Sequence, residues 1–263
     1  MTELRLVQVD AFADRPFTGN PAAVMPLDAW LPDETMQAIA LENNLSETAF
    51  TVAAGDGEAD YELRWFTPAV EIALCGHATL AGGHVLMGER ERLRFRTRKA
   101  GLIEVARAGA GYSLSLPALE PAPKPLPAIA AGLGCTPVET LWHEGGYALI
   151  VLGGEDEVRA LAPDFKALAA GGDTTIIVTT APGSETDVVS RVFVPGAGID
   201  EDPVTGAAHA VMVPYWAGRL GRTDAISFFQ ASRRGGHLTG RLDGDRAILT
   251  GKCVTVIEGV MRL

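Results

Sequence analysis

Glu47 is the residue whose type and setting point most directly to chemistry. It lies in Asn44-Leu45-Ser46-Glu47-Thr48, between a helix-like segment and a strand-like run. Carboxylates are rarely buried without a partner; one held in a dry cleft can take a proton from carbon and return it elsewhere. Two further segments offer complementary groups. Leu74-Cys75-Gly76-His77-Ala78-Thr79 brings a thiol, an imidazole and small residues to one predicted helix start, and Asp200-Glu201-Asp202-Pro203-Val204-Thr205-Gly206-Ala207 brings carboxylates to another. Small residues there leave backbone N–H groups accessible, and these donors with the helix dipole favour an anion. Plainer readings stand beside these. Glu47 suits an exposed loop, His77 a helix-start bond to backbone, Asp202 a turn before Pro203, and the glycines simple caps. Asn20, ahead of Pro21, is first of all a turn residue.

The elements that must position these groups are short. Strand-like runs are Leu4–Phe12, Ala49–Val52, Tyr61–Phe66, Leu102–Arg107 and Tyr112–Leu116; the third and fifth alternate as half-buried strands do. A helix is predicted after Pro32, with Asp33 as N-cap and Glu34 at the positive end of the dipole. Two more are predicted over Gly76–Leu86 and Gly206–Trp216, the latter kinked at Pro214. The proline-rich stretch from Pro117 to Pro127 reads as an extended interdomain linker.

An internal repeat organises the chain. Arg64-Trp65-Phe66-Thr67-Pro68, then Ile72 and Cys75, is matched by Arg191-Val192-Phe193-Val194-Pro195, then Ile199 and Asp202, each partner 127 residues on. Val24 with Val151 and Thr48 with Thr175 keep that interval. Two copies are too few for a solenoid. A pseudo-two-fold pair of domains is expected, the repeated turns holding an anionic substrate from both ends if the halves face across a cleft.

Composition narrows the classes. A net charge of -11 argues against nucleic-acid binding. Three cysteines, Cys75, Cys135 and Cys253, form a sparse set that suits a reducing compartment. No apolar run reaches the ~18 residues of a membrane span, and no signal peptide is read at the start. A cytoplasmic protein with no membrane partner is expected. His84, His143, His209 and His237 have no zinc-like spacing with cysteine, and no nucleotide-binding fingerprint is well placed, so no metal or cofactor is expected.

Across nearly its whole length the chain resembles the PhzF family of phenazine-biosynthesis proteins. The resemblance is carried by Val9-Asp10-Ala11-Phe12, Pro16-Phe17, Gly19-Asn20-Pro21-Ala22-Ala23-Val24, Asn44-Leu45-Ser46-Glu47-Thr48-Ala49-Phe50, the two helix-start turns, and Gln230 with Ser232-Arg233-Arg234-Gly235-Gly236. It implies an α+β diaminopimelate-epimerase-like fold: two pseudo-symmetric domains, each a largely antiparallel sheet around a central helix. The domains are expected at 1–117 and 118–253, with strand 254–263 returning to the first. It also implies a homodimer and a cofactor-independent isomerase moving a proton on a small carboxylate- or amino-bearing metabolite. Glu47 would be the acid/base, with His77 and Asp202 beside it in catalysis; Gly76, His77, Gly206, Ala207 and Asn20 would bind substrate.

Two departures from the family pattern bear on this. Ala207 stands where the phenazine enzymes have serine, which removes a hydroxyl contact. The diaminopimelate epimerases use two facing cysteines, whereas this chain has Cys75 in the first turn and Asp202 at the matching position of the repeat. Alternatives therefore remain: an epimerase using Cys75 with Glu47 or Asp202, or a non-catalytic metabolite binder. Cys75 itself is either an acid/base at a helix N-terminus or a small buried hydrophobe.

Overall fold

The alternating runs form strands, and the small, apolar segments Gly76–Leu86 and Gly206–Leu220 form helices. A helix apolar all round must be buried, and both become centres around which strands wrap. The computed structural model describes residues 2–55, 57–170 and 174–263. It is α+β and divides into two units: Met1–Leu116 with Thr250–Leu263, and Pro117–Leu249. Among the described residues no helix is long and apolar enough to cross a membrane.

The first unit contains β1 (Glu3–Ala11), β2 (Asn20–Leu27), α1 (Asp33–Asn43), β3 (Glu47–Ala53), β4 (Tyr61–Phe66), β5 (Glu71–Ile72), α2 (Gly76–Leu86), β6 (Arg92–Thr97), β7 (Leu102–Ala108) and β8 (Gly111–Pro117). Most pairings are antiparallel. The exceptions are β2 with β3, and β4 with β6, joined across α1 and α2, as parallel neighbours require a crossover. The last strand, Cys253–Arg262, pairs antiparallel with β1. Residues Gly76–Gly83 of α2 are all buried, packed against β1, β2, β3 and β7. A Cβ on Gly83 would come within 2.5 Å of Val105 Cγ1, so glycine sets how closely helix and sheet approach.

The second unit repeats the plan with β9 (Ala122–Pro123), α3 (Pro127–Leu133), β10 (Glu139–His143), β11 (Tyr147–Val151), α4 (Glu155–Ala160), α5 (Phe165–Ala169), β12 (Ile176–Pro182), β13 (Val188–Val194), β14 (Ile199–Asp202), α6 (Gly206–Leu220), β15 (Ile226–Gln230), β16 (Gly236–Asp243) and β17 (Arg246–Gly251). Its parallel pairs are β11 with β12 and β13 with β15. The central helix, α6, packs against β11, β15 and β16. It continues past Pro214 to Leu220. Proline cannot donate to the carbonyl four residues back, and that carbonyl, Ala210 O, accepts instead from Leu119 N at 3.0 Å. The extended proline-rich segment thus satisfies a group that the central helix leaves open.

An arginine, buried at Arg64 and partly buried at Arg191, is the shared device of the two units. Arg64 on β4 donates to both carboxylate oxygens of Glu71 (2.7 and 2.8 Å) and lies over the Phe66 ring at 5.0 Å. Arg191 on β13 does the same with Glu201 (2.7 and 3.1 Å) and Phe193 (5.0 Å). Bidentate pairs of this kind fix orientation as well as distance. Each clamps a short strand that leads into the central helix. Arg64 also binds Asp33 at 2.8 Å. Asp33 is therefore not the N-cap: Pro32 occupies that position and no side chain caps α1.

The clamp corrects the repeat's register. The partner of Glu71 is Glu201 and the partner of Gly76 is Gly206, an interval of 130 rather than 127. A 3-10 turn at Pro195–Ala197 occupies the second copy of this connection. Parallel register differs too, since Ala22 faces Glu47 but Tyr147 faces Ile176. The constant interval holds along β4 and β13 and lapses outside them.

Gly19 closes the β1–β2 turn at φ 65°, and a Cβ there would lie 2.2 Å from Ala11 O. Backbone cannot yield as a flexible side chain can. Gly19→Ala is expected to destabilise the protein by roughly 1–3 kcal/mol, seen as a lower urea midpoint at unchanged slope; an unchanged midpoint would show that the turn relaxes freely.

Candidate active site

Parallel pairing brings the first unit's groups together. Glu47 is the first residue of β3 and sits beside Ala22 of β2, two residues after Asn20. His77 is the second residue of α2, and Cys75 is its N-cap, with extended backbone and no capping side-chain bond. Glu47 is 9% exposed, His77 4% and Asn20 0%. Glu47 Oε2 lies 2.8 Å from His77 Nε2, but the approach is not aligned as a hydrogen bond. Among the described residues neither atom has a hydrogen-bond partner. Buried polar atoms are nearly always satisfied by hydrogen bonds, and these two are held by close charge contact instead. Catalytic pairs are often poorly aligned before substrate arrives.

His77 Nδ1 contacts Asn20 Nδ2 at 3.2 Å and Cys75 Sγ at 3.5 Å, and Ser46 Oγ donates to Asn20 Oδ1 at 2.9 Å. Burial, reinforced by the charge of Glu47, pushes the Cys75 thiol up to about 11, so it is neutral near pH 7. Burial disfavours the His77 imidazolium, while negative charge on Cys75 and Glu47 favours it, and the balance lies above the ordinary histidine value. With Cys75 held as a thiol, its share of that lift is absent at neutral pH. Glu47, Cys75 and His77 offer oxygen, sulfur and nitrogen within 4.8 Å of one another, donor types that zinc accepts. His77 meets Glu47 and Cys75 through different nitrogens, so one ion would engage only one of those contacts.

In the second unit Asp202 ends β14 and Thr205 is the N-cap of α6. Thr205 Oγ1 donates to Asp202 Oδ2. Gln230, fully buried on β15, clamps this turn from both ends of its amide: Oε1 accepts from Thr205 N at 2.9 Å and Nε2 donates to Asp202 O at 2.7 Å. With Gly76 aligned on Gly206, Cys75 corresponds to Thr205, His77 to Ala207 and Thr79 to His209. Asp202 is therefore not the counterpart of Cys75; it lies three residues before that position. The equivalence extends to bonding, for Thr79 Oγ1 donates to Cys75 O and His209 Nδ1 to Thr205 O at 2.8 Å. Gly206 is buried, and half-buried Ala207 presents only a methyl group.

The family model described as phenazine biosynthesis-like protein, PhzC-PhzF, matches residues 9–259. This chain belongs to the PhzC-PhzF family. A relative from Pseudomonas aeruginosa, named an uncharacterized isomerase, is 47% identical, with 99% of each chain covered. The crystal structure of a PhzF family protein from Enterococcus faecalis is 43% identical and superposes with a TM-score of 0.92 over 100% of both chains. A predicted epimerase from Pseudomonas aeruginosa, 19% identical over 98% of this chain and 99% of that one, shares the fold at a TM-score of 0.75. The epimerase-like α+β fold implied by the resemblance is the fold of this PhzC-PhzF protein.

Sequence reasoning singled out neither Ser46 nor Thr205 in this family member, and knew Gln230 only as part of a motif. Ser46 precedes Glu47, and Thr205 precedes the helix glycine; adjacency was the available signal. Gln230 lies 25 residues beyond Thr205 and meets it only because β15 returns parallel to β13. His209, which shows no zinc-like spacing with cysteine, packs in the core. It is fully buried, edge-on to Phe228 at 5.2 Å, and Nε2 has no partner among the described residues.

Burial pushes His209 down to about 4 against the opposing bond to Thr205, whereas an unfolded histidine protonates near pH ~6.5. Between these values the unfolded chain binds more protons, so this residue makes stability fall as pH falls. His209→Asn is expected to flatten that slope between about pH 6.5 and about pH 4, measured by urea unfolding. Parallel wild-type and variant curves would refute a buried neutral imidazole.

Proposed function

We propose that this protein is a PhzF-like isomerase that shifts a proton on a small carboxylate- or amino-bearing metabolite, without metal or organic cofactor, using Glu47 as the acid/base. The observation that carries this reading is the buried pair of Glu47 Oε2 and His77 Nε2, 2.8 Å apart. The name of the Pseudomonas aeruginosa relative supports an isomerase as the reaction class.

The chemistry balances within the substrate. Glu47 carboxylate takes a proton from a carbon made acidic by a neighbouring carbonyl, imine or conjugated acid. The electron pair left behind delocalises into that group. His77 donates toward the negative charge as it develops, supported by the N-terminal amides at Gly76 and His77. Glu47, its carboxyl proton in exchange with solvent, then delivers a proton to a second carbon and is again a carboxylate. No external oxidant or reductant is consumed. Cys75, neutral below about 11, is a weak base at neutral pH, which favours a one-carboxylate proton shift over a two-thiol epimerisation.

Glu47→Gln keeps size and hydrogen-bonding capacity but removes the base. It is expected to fold and bind ligand like the wild type while turnover falls by about 10²–10⁴-fold, measured on a substrate found by metabolite screening. Near-wild-type turnover would end the assignment. In D₂O, label at a new carbon marks isomerisation, and label at an inverted centre marks epimerisation.

A further inference from the structure

The side of His77 turned away from Glu47 carries information that the carboxylate contact does not. Nδ1 lies 3.2 Å from Asn20 Nδ2. An amide nitrogen only donates, so Nδ1 must accept and cannot carry a proton. Cys75 Sγ lies 3.5 Å from the same nitrogen; a thiol can donate or accept, so it leaves the choice to the amide. With Asn20 Oδ1 accepting from Ser46 Oγ at 2.9 Å, the amide nitrogen is the atom turned toward His77. The neutral imidazole then has its proton on Nε2, the nitrogen facing Glu47.

We infer that Asn20 is a positioning residue rather than a substrate contact: its amide holds neutral His77 as the Nε2–H tautomer, so that a donor and not a lone pair faces Glu47. Which imidazole nitrogen is protonated is set by the bond that the other one makes. The backbone around Asn20 is built to hold it there. Phe12 (φ 57°), Phe17 (φ 71°) and Gly19 (φ 65°) all adopt left-handed conformations within eight residues. Such strain persists only where surrounding structure over-determines it. Phe17 N is tied to Asp10 Oδ2 at 2.8 Å, and the turn delivers Asn20 opposite Ala11 as the first residue of β2.

This rests on the proposed acid/base role of Glu47 for its purpose, but not for its test, which needs no substrate. Long-range ¹H–¹⁵N correlation of ¹⁵N-labelled protein reports the protonation of each ring nitrogen, with His77 assigned by its loss in His77→Gln. Because the ring holds its second proton above the ordinary histidine range, the spectrum is followed upward in pH until that proton is lost, and wild-type His77 is then expected to show Nε2 protonated and Nδ1 unprotonated. Asn20→Asp replaces the donor with an acceptor and should move the proton signature onto Nδ1. Ser46→Ala, a milder change, should shift Nδ1 toward a mixed tautomer. A neutral wild-type His77 protonated on Nδ1, or a wild-type pattern retained by the neutral ring in folded Asn20→Asp, overturns the inference. If Asn20→Asp does not fold, the wild-type spectrum decides. A correct tautomer alongside a fully active Glu47→Gln would sink the proposed function and leave this inference standing.

Discussion

The constraint behind the first unit is the burial of a carboxylate and an imidazole against each other without an aligned bond. Taking such groups out of water costs several kcal/mol per ion unless they are paired and hydrogen-bonded. Glu47 and His77 meet that cost only in part, since Oε2 and Nε2 stand 2.8 Å apart with no hydrogen-bond partner among the described residues. A fold driven by stability alone would fill or pair the site. The surroundings instead hold it rigid: α2 is buried along its first eight residues, β3 is fixed in parallel register on β2, and Asn20 is pinned by a strained turn.

The two arginine clamps supply the rest of that rigidity. Arg64 and Arg191 each seize one glutamate with both fork arms and rest on an aromatic ring two residues away. Each holds the connection between a central strand and the start of its unit's central helix. That start carries His77 in one unit and Ala207 in the other. The copies have thus kept the frame, and even the bond to the N-cap carbonyl made by Thr79 and His209, while diverging in the side chains that bear on chemistry. An imidazole beside a carboxylate survives in the first copy; in the second, Asp202, Thr205 and Gln230 form a closed hydrogen-bonded turn.

Much of this was legible locally. The alternation of Tyr61–Phe66 and the glycine start of Gly76–Leu86 carry their own periodicity, and both elements form where it predicts. Arg-x-Phe in both halves revealed the repeat because the clamp needs those two residues at that spacing. The repeat misled where spacing is free. Between the clamp's arginine and its glutamate the second copy adds residues, so a constant interval paired Cys75 with Asp202 when the helices pair Cys75 with Thr205. Asp33 looked like a cap because aspartate before a helix often is one, but a buried guanidinium competed for it and won. The meeting of Glu47 with His77, and of Asn20 with both Ser46 and His77, depends on non-local strand pairing that no periodicity in a single chain records.

The central claim is that the Glu47–His77 pair acts on carbon. A crystal structure with a bound metabolite that the protein turns over tests this most directly. The account predicts a ligand carbon bearing an acidic hydrogen about 3–3.5 Å from a Glu47 carboxylate oxygen, with His77 Nε2 directed at the part of the ligand where charge develops. A turned-over ligand seated with no carbon near residue 47, its reacting atoms met by other side chains, would contradict it.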